Sequence, residues 1–386
     1  MDPKASLILI VTARRGFVSF LVAALCFGGA LAAETNDPIT AGAPSTRPGP
    51  RDGRIHDPST IVKCNDEYWL FATGMGIISR RSRDLVNWTN GPRVFTNAPA
   101  WTTNAVPGNR GYFWAPDVIF LTNRPAATAR QRGEYLLYYS VSTFGKNTSA
   151  IGLATNPTLD PSDPNYAWTD HGIVVQSSRS DNFNAIDPAV FQDADGKLWL
   201  AFGSFWSGIK LIELDPATGK RRAQSRVQSP QFTVRETQDS GLRTVDSGLY
   251  SLAHNDSIEA AFLHHHRQQY YLFLNWGICC RGTNSTYEIR VGRSEKITGP
   301  YLDEDGKDLR VGGGTKFLAS EGAFIGPGHA GIVSVGGTNW LSCHFYDGTR
   351  RGLATLALLP LRWKADGWPE AGPLDKMIVD RRNQNR

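Results

Sequence analysis

The 386-residue chain is poor in three things: it has 5 cysteines, 3 methionines and a single long apolar run. So few cysteines in a chain of this length cannot staple the fold, and a hydrophobic core must hold it. One apolar run, close to the N-terminus, excludes a multi-span membrane protein. Neither charge dominates, with 41 basic against 36 acidic residues and a net charge of +5. The basic residues are scattered, which argues against a nucleic-acid surface. No helical period of useful length is present, which excludes a helix bundle. Aromatic and turn-forming residues are plentiful instead: 11 Trp, 12 Tyr, 18 Phe and 39 Gly. That is the make-up of short strands, tight turns and aromatic surfaces.

The lone apolar run sits in "ARRGFVSFLVAALCFGGALAAE". Two arginines, an apolar stretch and Ala30-Leu31-Ala32 predict a secretory signal over residues 1–32. The alternative, a membrane anchor, asks for a longer run. Residues 33–53 are rich in Pro, Gly and Thr and predict a flexible lead-in. One ordered domain is expected over 54–386, in a secreted or periplasmic protein. Four cysteines then remain: Cys64, Cys279, Cys280 and Cys343.

The chain repeats itself. "DPSTI", "APDVI", "DPAVF", "EAAFL" and "HAGIV" begin at 57, 115, 187, 259 and 329. A turn and a second strand-like run follow each: "EYWLFAT", "EYLLYYS", "KLWLAFGS", "QYYLFLNW" and "NWLSCHFYD". A third run follows in most units, such as "SAIGLAT" or "EIRVGRS". Five phased units of three or four antiparallel strands predict an all-β, five-bladed β-propeller. A β-sandwich rarely carries five phased repeats, and a β-helix has much shorter ones.

In a propeller the first strand of every blade lines the central channel. Asp57, Ala115, Asp187, Glu259 and His329 are therefore expected to meet at one channel mouth. A carboxylate at a strand entry ordinarily caps local backbone. Three in register, with a histidine in the fifth unit, point instead to a working site, because crowded acids are costly unless used. Paired carboxyls beside exposed aromatics suit glycoside hydrolysis: one protonates the leaving oxygen, another activates water or attacks carbon, and a third tunes the acid. Trp114 and the "GSFWSG" of 203–208 are the aromatics placed to stack on sugar.

At these residues the chain resembles the glycoside hydrolase family 43 arabinanases. The matching phrases are "HDPS", "FWAPDV", "YYSVSTFGKNTSAIGLAT", "FNAIDPAVF", "LWLAFGSFWSGIKL", "SIEAAF", "CCRGTNSTYEIRVGRS", "GPGHAGI" and "HFYDG", in order across about 54–370. The resemblance implies a five-bladed propeller that cuts α-1,5-L-arabinan, endo-acting and inverting. It implies Asp57 as general base, Glu259 as general acid, and Asp187 as the residue that tunes the acid and orients the sugar. Asn184, Ala185, Ile186, Gly145, Ser204, Phe205 and Trp206 match substrate-contacting positions. His329 matches a histidine that holds a hydrated cation, taken as Ca2+, although one imidazole is a poor ligand set for a hard ion. The implied partner is a polysaccharide, arabinan or pectin side chains, bound by a monomer. Where the family commonly has "HYYD", this chain has Phe345, which removes one hydroxyl.

Adjacent Cys279 and Cys280 read either as two thiols or, as related sequences with "CCRG" imply, as a strained vicinal disulfide that offers an apolar bump to sugar. Cys64 and Cys343 fall in the first and last units, with nothing to pair them. "LHHHRQQYY" (263–271) is expected in a solvated turn away from the mouth. Sequons open at Asn87, Asn147, Asn255 and Asn284; glycans at Asn147 and Asn255 would crowd the cleft, which favours a host that does not glycosylate. The polar stretch 222–257 is expected on the rim. The competing functions are an exo-α-L-arabinofuranosidase or β-xylosidase with a closed pocket, a carbohydrate-binding propeller without catalysis, and a retaining hydrolase with carboxyls closer together.

Overall fold

The computed structural model describes residues 54–122, 133–222 and 248–379. The expected signal, the lead-in and most of the 222–257 stretch lie outside the described residues.

The second strand of each repeat is apolar on both faces, as in Leu70-Phe71-Ala72 or Leu136 to Tyr139, all fully buried. Such a strand has to be covered on both sides. The sheets therefore stack face to face in a ring, and the fold is a five-bladed β-propeller with antiparallel blades. Blade 1 takes Val62–Cys64, Glu67–Ala72, Ile78–Ser82 and Thr89–Asn90 in order. Blades 2 to 5 begin with Tyr112–Thr122, Ala189–Gln192, Ile258–His266 and Phe324–Val335. Their second strands are Gly133–Val141, Leu198–Phe202, Gln269–Trp276 and Thr338–Asp347. One short α-helix, Trp101–Ala105, departs from the all-strand reading without disturbing a blade.

Strand alternation fills the seams between blades. Trp69 and Phe71 pack toward blade 2, while Leu70 and Ala72 pack toward blade 5. The seams between blades 2 and 3, 3 and 4, and 4 and 5 have equivalent clusters. Among the described residues no strand is shared across the closing seam. Closure rests on the Ile55 N–H to Ala354 carbonyl bond at 3.0 Å, and on packing of Ile55, Ile61 and Trp88 against Val333, Leu356 and Leu358.

The repeat register needs one correction. Asp57, Ala115, Asp187 and His329 all have left-handed backbone, with φ of 52°, 41°, 57° and 55°. In blade 4 the matching residue is Ala260, at 55°, and not Glu259. Strand pairing agrees: Trp114, Glu259 and Gly328 sit opposite Ser140, Asn275 and His344, each at the start of a bulge. Glu259 therefore belongs with His56, Trp114, Ile186 and Gly328, one step before the ring that holds Asp57 and Asp187. "EAAFL" and "HAGIV" align by letter, but the bulge, which is the same in blades 2, 4 and 5, aligns Glu259 with Gly328 and Ala260 with His329.

Candidate active site

A left-handed residue at a bulge has a backbone N–H that its own blade does not use. Here the preceding blade supplies the partner. Asp57 N–H meets His344 Nδ1 at 3.2 Å, Ala115 N–H meets Thr73 Oγ1 at 2.8 Å, Asp187 N–H meets Ser140 Oγ at 2.9 Å, and His329 N–H meets Asn275 Oδ1 at 3.1 Å. Blade 3 has Gly203 at the acceptor position. Any side chain there would meet the Gly208 carbonyl, 2.5 Å from an ideal Cβ, and φ is 131°. With no side chain from Gly203, the Asp187 carboxylate itself accepts the Ala260 N–H, at 3.3 Å. This belt fixes both rings at the channel mouth.

Asp57 is buried and surrounded by donors. Its Oδ1 lies 2.7 Å from His56 Nδ1 and 3.2 Å from His329 Nε2, and Thr73 donates to Oδ2 at 2.5 Å. Burial opposes its charge, but His56 and His329 outweigh that and hold the carboxyl well below the usual carboxylate range. Burial likewise opposes charge on His56, yet the adjacent Asp57 raises the imidazole to about 10. His56 Nε2 bonds the Tyr346 hydroxyl at 2.8 Å, which also accepts the Cys280 N–H at 2.7 Å. His344, stacked 4.3 Å from His56, is held neutral by burial.

The other two acids are biased the opposite way. Burial raises Glu259, against the hydrogen bonds from Tyr287 and Ser204, and the charge of Asp57 adds to the rise. Tyr287 donates to Oε1, and Ser204 to Oε2 at 2.7 Å. Burial and then the neighbouring charges of Glu259 and Asp57 push Asp187 well above its ordinary value. One carboxyl is thus kept ionised and two are biased toward the protonated form, which separates a base from an acid.

These side chains open into two joined hollows. The first, about 390 Å³, is lined by the three acids together with Trp114, Ile186, Cys279, Cys280 and His329. The second, about 470 Å³, is lined by Gly145, Asn184, Ser204, Phe205 and Trp206. Trp114, Phe144 and Ile186 belong to both. Phe144 is 83% exposed and Trp206 42%, so two aromatic faces stand open over the groove. Of the residues expected to contact substrate, Ala185 alone lies in the core and lines neither hollow.

Several site residues escaped the sequence reading. Tyr346, not Phe345, faces the mouth: Phe345 stacks on Phe324 in the seam between blades 4 and 5, so the missing hydroxyl lies away from the cleft. The alternation His344-Phe345-Tyr346 carried that signal. His56 had a signal as the neighbour of Asp57, whereas Tyr287 and Thr73 had none. Asp117 is a further buried channel acid, raised by burial to about 6; it accepts the Thr60 and Val190 N–H groups, both at 2.9 Å, and ties blades 1, 2 and 3.

Other expectations resolve locally. No S–S bond joins the described cysteines: the Cys279 and Cys280 sulfurs lie 2.8 Å apart, and Cys64 and Cys343 are buried in different seams. The histidine run is not a solvated turn: it ends the strand Ile258–His266, where His264 and His266 both stack on Trp363. The Asn147 amide donates to the carbonyls of Ser178, Asp181 and Phe183, so it is a buried loop clamp, unavailable to a glycan. Around His329 the donors are imidazoles and one carboxylate. Calcium takes six to eight oxygens, so this set does not form a calcium cage.

A carboxyl held ionised together with carboxyls biased toward the protonated form, in an aromatic groove on a five-bladed propeller, is the arrangement of a glycoside hydrolase. Comparison with known proteins gives the family. The model of the glycosyl hydrolases family 43 matches residues 51–369. The chain is 39% identical over 338 residues to an extracellular exo-α-(1→5)-L-arabinofuranosidase of Cellvibrio japonicus, covering 86% of this chain and 91% of that protein. It is 38% identical over 323 residues to an extracellular endo-α-(1→5)-L-arabinanase of Bacillus subtilis, covering 82% and 87%. The structure superposes on the α-L-arabinanase of Cellvibrio cellulosa solved with arabinohexaose, with a TM-score of 0.69 and 36% identity, over 86% of this chain and 97% of that one. This chain belongs to glycoside hydrolase family 43, among its arabinanases.

Proposed function

We propose that the protein is a secreted, endo-acting arabinanase that hydrolyses α-1,5-L-arabinofuranosidic bonds with inversion. The observation that carries the reading is the groove. It runs from Gly282 and Gly352 past the three acids, over Phe144, to Trp206. A chain laid along it places an internal bond at the acids, as endo cleavage requires.

In this reading Asp57 takes a proton from a water whose oxygen attacks the anomeric carbon. Glu259 gives its proton to the departing glycosidic oxygen. Glu259 is left ionised, and the hydrogen bonds from Tyr287 and Ser204 then hold its charge. Burial and the charge of Asp57 keep the proton on Glu259, and Asp187, itself biased toward the protonated form, orients the sugar beside it. The donors around Asp57 keep it ionised, at some cost to its basicity. Calcium enters the proposal only as a hydrated ion at His329, and no step runs through it; loss of thermal stability on chelation is its test.

An exo mode is the second reading, favoured by the name of the Cellvibrio japonicus relative. Both modes share the acid–base test. Asp57→Ala and Glu259→Ala are each expected to lower the rate on debranched linear arabinan by roughly a hundredfold to ten-thousandfold, the ordinary range for general acid–base groups. Asp187→Asn should also cripple turnover. The Tm of each variant should stay near that of the wild type. An Asp57→Ala enzyme with most of its activity would overturn the mechanism.

A further inference from the structure

The loop that carries Ser204, Phe205 and Trp206 is held in a backbone that it would not choose alone. Phe205 and Trp206 are both left-handed, with φ of 50° and 40°, and glycines in left-handed or mirror-β backbone flank them at 203 and 208. Two consecutive non-glycine residues in that region persist only when the surroundings impose it. The Ser204 end is fastened by backbone: Gly203 N–H to the Ile186 carbonyl at 2.9 Å, and Phe205 N–H to the Ile258 carbonyl at 2.7 Å. The Trp206 end is fastened differently. Ser207 N–H bonds the Asn182 carbonyl at 2.9 Å, and its carbonyl receives the ammonium of Lys210 at 2.7 Å.

Lys210 is 4% exposed, on the third strand of blade 3, Ile209–Leu214. Its second bond, 2.9 Å, goes to Ser251 Oγ on the neighbouring strand Tyr250–Ala253. Burying an ammonium is unfavourable without strong partners, and burial lowers this one to about 8. An apolar side chain would fill the same space without that cost. What it would lack is a donor for the Ser207 carbonyl.

We propose that Lys210 is a positioning residue for substrate: a buried ammonium clamp that sets the Trp206 end of the groove loop for binding the arabinan chain. The inference rests on the reading of the groove as an arabinan site. Lys210 bonds none of the acids and lines neither hollow. Because the Ser204 end has its own backbone anchors, loosening the clamp displaces Trp206 and leaves the Ser204–Glu259 bond in place. The effect therefore falls on binding rather than on the chemical step.

The test is steady-state kinetics on debranched linear arabinan with wild type, Lys210→Met, Lys210→Arg and Ser251→Ala. Lys210→Met is expected to raise KM about tenfold with kcat within about threefold, the signature of lost uniform binding. Lys210→Arg, which keeps a charged donor, should recover most of the KM. Ser251→Ala, which removes the ammonium's other anchor at little cost in volume, should raise KM about threefold, and it decides the matter if Lys210→Met does not fold. An unchanged KM in a folded Lys210→Met, or in Ser251→Ala when that variant must decide, overturns the clamp. So does a loss of kcat and KM that Arg does not recover. Wild type inactive on arabinan would overturn the functional reading instead.

Discussion

Two donors converge on Glu259, and their effect on it is opposite to that of burial. Tyr287 and Ser204 favour the carboxylate, whereas the buried position favours the acid. Removing Tyr287's hydroxyl removes a bond to the charged form. In Tyr287→Phe the Glu259 proton is therefore held to higher pH, and the alkaline limb of the kcat/KM profile moves upward. The ionised product state loses its support as well, so kcat/KM at the optimum should fall about tenfold, as for a hydrogen bond to a charged group. A pH–rate profile checks both; a limb that moves downward contradicts the assignment of Glu259 as acid. At this scale the sequence was legible for the acids, since each opened a repeated phrase. Tyr287 was not legible, because nothing local marks a tyrosine 28 positions from its partner. Tyr346 was legible in principle, from strand alternation beside His344, and the comparison with "HYYD" directed attention to the wrong neighbour.

The belt of side chains that caps the bulges is a property of elements. Each blade offers an acceptor at the end of its second strand to the bulge N–H of the next, and blade 3 breaks the pattern at Gly203. The groove loop must turn back at once after Phe202, and only glycine fits there. Asp187 fills the vacancy with its own carboxylate, which links the loop's geometry to the backbone beside Glu259. The one-residue shift of Glu259 was invisible in the letters because "EAAFL" offers an acid where other phrases open on one, while the left-handed backbone that marks the true register falls on Ala260. Asp117 is the belt's counterpart deeper in the channel. Asp117→Ala leaves the Thr60 and Val190 N–H groups unpaired and should cost about 3 kcal/mol of stability, at roughly 1–3 kcal/mol for each buried orphan. Denaturant unfolding measures this; a loss below about 0.5 kcal/mol would show that Asp117 does not tie the blades.

The fold was legible at the scale of the whole molecule because five units said the same thing. The doubly apolar second strands, "QYYLFLNW" above all, coincide with the observed strands almost to the residue. The repeats did not reveal how the ring closes, because among the described residues closure uses side-chain packing and one backbone bond rather than a shared strand. His56 and Asp57 of blade 1 meet His344 and Tyr346 of blade 5 across that seam, so the surroundings of Asp57 are assembled only in the closed ring. The most direct test of the account is a time course of product chain lengths on debranched linear arabinan. The account predicts a ladder of arabino-oligosaccharides from the earliest times, abolished in Glu259→Gln. Monomer alone from the first point would contradict the endo mode, and no release by the wild type would contradict the assigned reaction.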